Sequence, residues 1–460
     1  MRIDRLGDLG TAAEVLRAVA GAAARHGLEP PAALTGDWFG SAAVIAPSVS
    51  VRAIDPGEAF CVWPGGHGDA VGGGWIGYLS YPDAAADSLP PRIPEAAGGW
   101  TESVLRLDRD GCWWHESLSA APIAAWVADA LSNPTERDAY EIDWEEPDFA
   151  RHQDGVLACL AAIGAGEVYQ ACVCTQFTGT LRGSSLEFFA DAVTRTTPAR
   201  AAYLAGTWGA VASLSPELFV HRAGDDVTSS PIKGTLPLHC APAELLASAK
   251  DVAENIMIVD LVRNDLGRVA DTGTVTVPDL LAVRAAPGVW HLVSTVAAKV
   301  RPQVTNTELL AAAFPPASVT GTPKGRARQL LSQWEPRRRG IYCGTVGMAS
   351  PIAGTELNVA IRTVEFAADG AAVLGVGGGI TADSDPAAEW EECLHKAAAV
   401  IHGSSQIPGS LRSCPPDQFP ASLRSCPPDQ FPESLRSCPP DQFPESLRSC
   451  PPARERSTAS

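Results

Sequence analysis

Positive charge is what this 460-residue chain has least of: 35 Lys and Arg against 53 Asp and Glu leave a formal net charge of −18. A chain this acidic lacks the basic face that neutralises phosphates, so nucleic acid is excluded as the expected partner. An anionic ligand would have to be gripped locally. Long apolar runs are missing too. None reaches the roughly 18 residues needed to span a bilayer, and the opening Met1-Arg2-Ile3-Asp4-Arg5 leads into no apolar export segment. No membrane partner and a cytoplasmic location are expected. Twelve cysteines occur, but none stands in a CxxC pair, and in the cytosol they are expected as thiols. Cys172 and Cys174 are too close for a zinc hairpin; in a strand they share one face and read as core packing. No GxGxxG turn opens a helix, and no Walker lysine is found.

What is present is 45% hydrophobic and 19% charged, the balance of a globular protein with a large core. The last fifty residues repeat the unit Ser410-Leu411-Arg412-Ser413-Cys414-Pro415-Pro416-Asp417-Gln418-Phe419-Pro420 with a period of 12 residues. Units so short and proline-rich cannot bury a face, so residues 406–460 are expected to form a disordered tail. Residues 1–140 show short apolar stretches broken by Gly and Pro and read as strands with tight turns. The acidic stretch 141–148 reads as a boundary loop opening a second region, 141–405. There the pattern predicts helices over 156–163, 247–263, 323–334 and 386–400. It predicts strands over 167–177, 289–300, 341–349 and 357–366.

Several residues carry chemistry. Asp251 and Glu254, and Glu389 and Glu392, stand three apart on two of these helices, so each pair shares a face. Two such faces can hold a hard cation, since Mg²⁺ takes one or two carboxylates plus waters and substrate oxygens; solvated helix faces would look the same. Lys396, four residues after Glu392, can hold that carboxylate. The run Gly375-Val376-Gly377-Gly378-Gly379-Ile380 reads as a turn whose amides can approach an anion. Arg362, placed in a strand, suits bidentate grip of a carboxylate. Tyr342, at the start of a strand, can donate a hydrogen bond. Lys233 sits in a short turn, Pro231-Ile232-Lys233-Gly234-Thr235, sixteen residues after Glu217.

Taken in order, these stretches resemble a family. Residues 150–402 are similar to the chorismate-utilising enzymes in the stretches 166–170, 254–267, 291–294, 320–324 and 342–344. The resemblance continues through Ser215-Pro216-Glu217, Pro231-Ile232-Lys233-Gly234-Thr235, Ile361-Arg362-Thr363 and 377–396. It implies an α/β (α+β) fold of two packed antiparallel-rich sheets flanked by helices, although the alternation of elements alone fits a doubly wound sheet equally. It implies Mg²⁺ as cofactor, with Glu254 and Glu392 as ligands and Asp251 and Glu389 assisting them. It implies chorismate contacts at Gly234, Thr235, Tyr342, Arg362, Gly377, Gly378, Gly379 and Lys396.

Within the family, two positions imply the reaction. Members that add water to chorismate carry a lysine base where Gln170 stands. Anthranilate synthases carry alanine where Lys233 stands. A lysine there is similar to the aminodeoxychorismate synthases, which implies Lys233 as nucleophile at C2 of chorismate, Glu217 as general acid on the C4 hydroxyl, and ammonia adding at C4. His291 is implied as a proton-transfer or positioning residue. No Gly-x-Cys-x-Gly turn of a glutaminase is found, so ammonia is expected from a separate glutamine amidotransferase subunit. The product, 4-amino-4-deoxychorismate, would serve 4-aminobenzoate and folate synthesis or a specialised pathway. An anthranilate synthase component I and a non-catalytic chorismate-binding subunit stay as alternatives.

Overall fold

The computed structural model describes residues 1–401 except 64, 67, 69, 84–89 and 134–136; the expected repeat tail lies outside the described residues. Strand pairing among them is antiparallel throughout. The strands fall into one sheet of twelve and one of ten. Leu34, Val44, Leu204 and Val211 of the larger sheet pack against Ile76, Val346 and Met348 of the smaller, which makes the space between the sheets apolar. Helices Ala12–Arg25, Ser185–Thr196 and Pro386–Ile401 cover the other face of the larger sheet through Leu16, Phe188, Phe189 and Leu394. Helices Ala249–Gly267 and Asn306–Ala313 cover the smaller through Ile258, Leu266 and Leu309. This is the expected pair of packed antiparallel sheets with helices outside. A doubly wound arrangement, which needs parallel strands, is absent from the described residues.

Strands from the first 140 residues enter both sheets. Ala32–Trp38 pairs with Arg200–Gly206 in one, and Gly74–Leu79 pairs with Thr345–Ser350 in the other. That region also contains two helices that the strand reading passed over. The longer, Ala12–Arg25, opens on a capping box in which Thr11 and Glu14 satisfy each other's backbone N–H.

Twice the chain crosses between the sheets at neighbouring points. Gly209–Ser215 lies in the larger sheet and Leu218–Ala223 in the smaller, so Pro216 and Glu217 form the crossover. Gly354–Asn358 lies in the smaller and Thr363–Ala367 in the larger, with Arg362 between them. Val359 N–H donates to the Glu217 carbonyl at 3.0 Å, and Leu214 N–H donates to the Arg362 carbonyl at 3.0 Å.

Four local expectations are corrected here. The stretch 357–366 is two strands, and Arg362 sits between them in left-handed backbone at φ 50°. Tyr342 lies in the turn before Thr345–Ser350 rather than opening that strand. The glycine run is the end of strand Ala371–Ile380. The expected boundary loop at 141–148 is largely strand, Tyr140–Glu145.

Candidate active site

Lys233 is not in a turn. It lies in strand Ile232–Pro237, at a point where the pairing slips: Ile232 faces Val293 but Thr235 faces His291. Three steps on one strand meet two on the other, so one residue is extra. Gly234, at φ +84°, takes the left-handed conformation such a bulge requires. The bulge bends the strand and re-aims the side chain beside it. Lys233 Nζ lies 3.8 Å from Glu254 Oε2, and its side chain keeps 13% of its surface exposed.

Gly379 shows where the groups converge. A methyl group on it would lie 3.1 Å from Gln170 Nε2, 3.3 Å from Glu254 Oε2 and 3.3 Å from Lys233 Nζ. Three functional side chains from three elements therefore meet over one bare stretch of backbone. The neighbouring glycines serve the same packing. A methyl on Gly375 would strike the Tyr342 ring at 2.2 Å, and one on Gly378 would meet Glu389 Oε2 at 2.7 Å. Their amides remain relevant too. Cys172 and Cys174 donate their N–H groups to Thr320 and Glu335, away from Ala371–Ile380. The ladder between the two strands therefore runs through the Val173–Gly378 pair. Gly377 and Gly379 then point their N–H and C=O to the opposite edge, where pairing with Thr363–Ala367 has ended at Leu374. The Gly377 carbonyl accepts a hydrogen bond from Lys396 Nζ at 2.7 Å.

The carboxylates stand where the helices were expected to place them, but lysines stand among them. Ser248 caps helix Ala249–Gly267 by accepting from Asp251 N–H. Asp251 Cγ comes within 3.2 Å of where a methyl on Gly234 would be. Glu254, one turn on, is buried, and burial raises its pKa against the pull of Lys233 and Lys250. Lys250 Nζ donates to Glu389 Oε1 at 2.9 Å and lies 3.9 Å from Glu254 Oε1. Burial works against its charge, but Glu389 prevails and its pKa is raised. Glu392 pairs with Lys396 Nζ at 2.7 Å while 44% of its side chain stays exposed; Lys396 holds its carboxyl down to about 2. Sequence reasoning passed over Lys250, although its i,i+4 spacing to Glu254 was a usable signal.

Among the described residues, no three His, Cys, Asp or Glu side chains close into a metal site by themselves. The donors nevertheless fit a hard cation that brings water and substrate oxygens. They are carboxylate oxygens, and Glu389 Oε2 is buried with no hydrogen-bond partner among the described residues.

Glu217 and Arg362, on their neighbouring crossovers, face this same region. Burial drives the Glu217 carboxyl up to about 7, although Ser318, Lys233 and Arg362 all pull it down. The half-buried Arg362 has its own pKa lowered by burial. His291 Nδ1 shares a 2.9 Å hydrogen bond with Thr235 Oγ1. Burial, aided by Arg362, holds the imidazole down to about 4, so it is neutral at neutral pH. Gln170 is 1% exposed, and neither end of its amide has a partner among the described residues. Cys172 and Cys174 share one face as expected, with sulfurs 3.8 Å apart. Ser318, beside Glu217, was not singled out by sequence reasoning.

Comparison with known proteins gives the family. Residues 52–402 match the model of the chorismate binding enzymes. Aminodeoxychorismate synthase component 1 of Klebsiella aerogenes is 41% identical over 249 residues, which is 53% of this chain and 55% of that protein. The same-named protein of Escherichia coli K12 is 37% identical over 337 residues, 70% of this chain and 73% of that one. The crystal structure of anthranilate synthase component I from Streptococcus pneumoniae TIGR4 superposes with a TM-score of 0.67 at 25% identity, covering 81% of this chain and 90% of that one. The matched region thus spans between half and three-quarters of these two relatives. With the family match running through the lysine, the carboxylates and the glycine strand, the chain belongs to the chorismate-binding enzymes.

Proposed function

We propose that this chain converts chorismate and ammonia to 4-amino-4-deoxychorismate, as an aminodeoxychorismate synthase component I. The observation that carries the proposal is Lys233, turned by the Gly234 bulge into the space over Gly379 and flanked by Glu254. An amine so placed can act as a nucleophile. Gln170, which fills the neighbouring position, is no base for water. The names of the Klebsiella and Escherichia relatives support the same reading.

In the proposed reaction Lys233 Nζ bonds to C2 of the chorismate ring as the C4–O bond breaks and both ring double bonds shift. Glu217, held protonated near neutrality, gives its proton to the departing hydroxyl, which leaves as water. Ammonia then bonds to C4 and gives up a proton that returns to Glu217, the C2–N bond to Lys233 breaks, and both double bonds return. Arg362 and the free amide edge of Gly377 and Gly379 would hold one substrate carboxylate. Glu254 and Glu392 would hold Mg²⁺, which would neutralise the other carboxylate. Thr235 and the neutral His291 position the strand that carries Lys233. The relatives' designation as component 1 supports a separate glutamine amidotransferase as the source of ammonia. No described helix is long and apolar enough to cross a membrane, and a cytoplasmic site of action is part of this proposal.

The test is purified protein with chorismate, Mg²⁺ and ammonium, with the products separated by chromatography. A product that a lyase turns into 4-aminobenzoate, lost in Lys233→Ala, is expected. Anthranilate from the wild type would sink the proposal.

A further inference from the structure

A buried ion pair lies behind the candidate site and takes no part in the proposed chemistry. Arg339 is 2% exposed and Glu335 is 7% exposed. Arg339 Nε and Nη2 donate to the two Glu335 oxygens at 2.8 and 2.7 Å. The rest of the guanidinium is engaged by backbone. Nη2 also donates to the Cys172 carbonyl at 2.7 Å, and Nη1 donates to the Val319 carbonyl at 2.8 Å. Glu335 Oε1 in turn accepts the Cys174 N–H at 3.0 Å.

These contacts stand in for a missing strand. On that edge of strand Gln170–Gly183, Gly321–Thr322 pairs with the first two residues, and Tyr140–Glu145 pairs only from Thr178 onward. Between them the Cys172 carbonyl and the Cys174 N–H would lack strand partners. Arg339 and Glu335 supply them. The same guanidinium reaches Val319, the last residue of the single turn Ala317–Val319. One planar fork therefore ties two separate segments together, and Lys could not reproduce that geometry with a point charge. Ser318 sits in the middle of that turn, 5% exposed, and lines a small space together with Glu217.

A buried Arg–Glu pair adds little net stability, because losing water offsets much of the attraction. Its contribution here is geometry. We infer that Arg339 and Glu335 are positioning residues for Glu217: they fix the turn Ala317–Val319 against strand Gln170–Gly183 so that the Ser318 hydroxyl meets the Glu217 carboxyl. The inference rests on the reading of Glu217 as the general acid.

The test is the pH profile of kcat/KM for chorismate, measured at constant free ammonia on the full chain. Wild type should lose activity on an alkaline limb near pH 7, and Glu217→Gln should lack that limb. The Ser318 hydrogen bond favours the Glu217 carboxylate, so Ser318→Ala should move the limb to higher pH. Arg339→Lys should move it in the same direction and lower kcat about tenfold, with little change in KM. The double variant should show no further shift. Should Arg339→Lys fail to fold, Glu335→Gln, which keeps an acceptor for Cys174 N–H but drops the charge, carries the same expectation. A limb left at its wild-type position in these variants while Tm falls would overturn the inference, as would additive shifts in the double variant. A limb that survives in Glu217→Gln would remove the acid reading itself, and the inference with it.

Discussion

Keeping Glu217 protonated near neutrality costs the fold stability, and the cost depends on pH. In the unfolded chain its carboxyl titrates near 4.5, and in the folded protein burial drives it up to about 7. Each tenfold preference for the protonated form is worth about 1.4 kcal/mol, so the whole rise amounts to about 3 kcal/mol. The sign follows from proton counting. Below pH 4.5 both states hold the proton and the penalty is zero. Between 4.5 and 7 the unfolded chain releases a proton that the folded state keeps, so stability falls as pH rises. Above 7 the folded state carries the charge and the loss is complete. Glu217→Gln keeps the shape and never ionises. Its stability relative to wild type should therefore climb by about 3 kcal/mol between pH 4.5 and 8. Urea unfolding of both proteins at pH 4.5, 5.5, 6.5 and 8 measures the difference, and other titrating groups cancel in the subtraction. A difference that stays constant to within about 0.5 kcal/mol would show that Glu217 is not a destabilised acid.

Three further outcomes are expected. Mg²⁺ at a hundredfold excess over its Kd should stabilise the wild type by about 2.7 kcal/mol, seen as a rise in Tm. Glu254→Gln and Glu392→Gln should abolish that rise, and an undiminished rise in both would place the metal elsewhere. Gly379→Ala puts a methyl 3.1 to 3.3 Å from the ends of three side chains that can move; it should fold normally yet raise KM for chorismate about tenfold or more. Gly375→Ala meets the Tyr342 ring at 2.2 Å and should lower Tm as well, so equal Tm values for the two variants would refute the distinction. Arg17 and Glu187 join helices Ala12–Arg25 and Ser185–Thr196 with both side chains under a tenth exposed. Arg17→Met alone should cost about 3–5 kcal/mol, and adding Glu187→Leu should recover most of it in chemical denaturation.

Local order was legible in two helices with one apolar face and a marked start, although Ala12–Arg25, with the same signals, was passed over. Ala249–Gly267 and Pro386–Ile401 fall close to the expected 247–263 and 386–400. Both begin on capping residues, Ser248 and Asp385, that accept from first-turn N–H groups. The carboxylate pairs were legible for the same reason, since i,i+3 spacing on a helix is a local property. The two crossovers were not. From Leu357 to Phe366 buried apolar residues recur on both sides of Arg362, because both strands are buried, and periodicity cannot register a change of sheet between them.

The glycine run misled in the opposite direction. Glycine favours turns because it is free to take positive φ, and the reading as a turn followed. None of Gly375, Gly377, Gly378 and Gly379 has positive φ. They are needed for what they lack: room for the Tyr342 ring, Cys174 Sγ, Glu389, and the Lys233–Glu254–Gln170 group. Those neighbours come from segments remote in the sequence, as do Arg339 and Val319, or Lys250 and Glu389. A residue type can announce its chemistry locally, but the group that orients it is a long-range contact and leaves no period. Lys233 shows both halves. The family resemblance of the surrounding stretches implied it as a nucleophile from the sequence, whereas its aim depends on one extra residue opposite His291, and the pairing that makes that residue extra exists only once the sheet has formed.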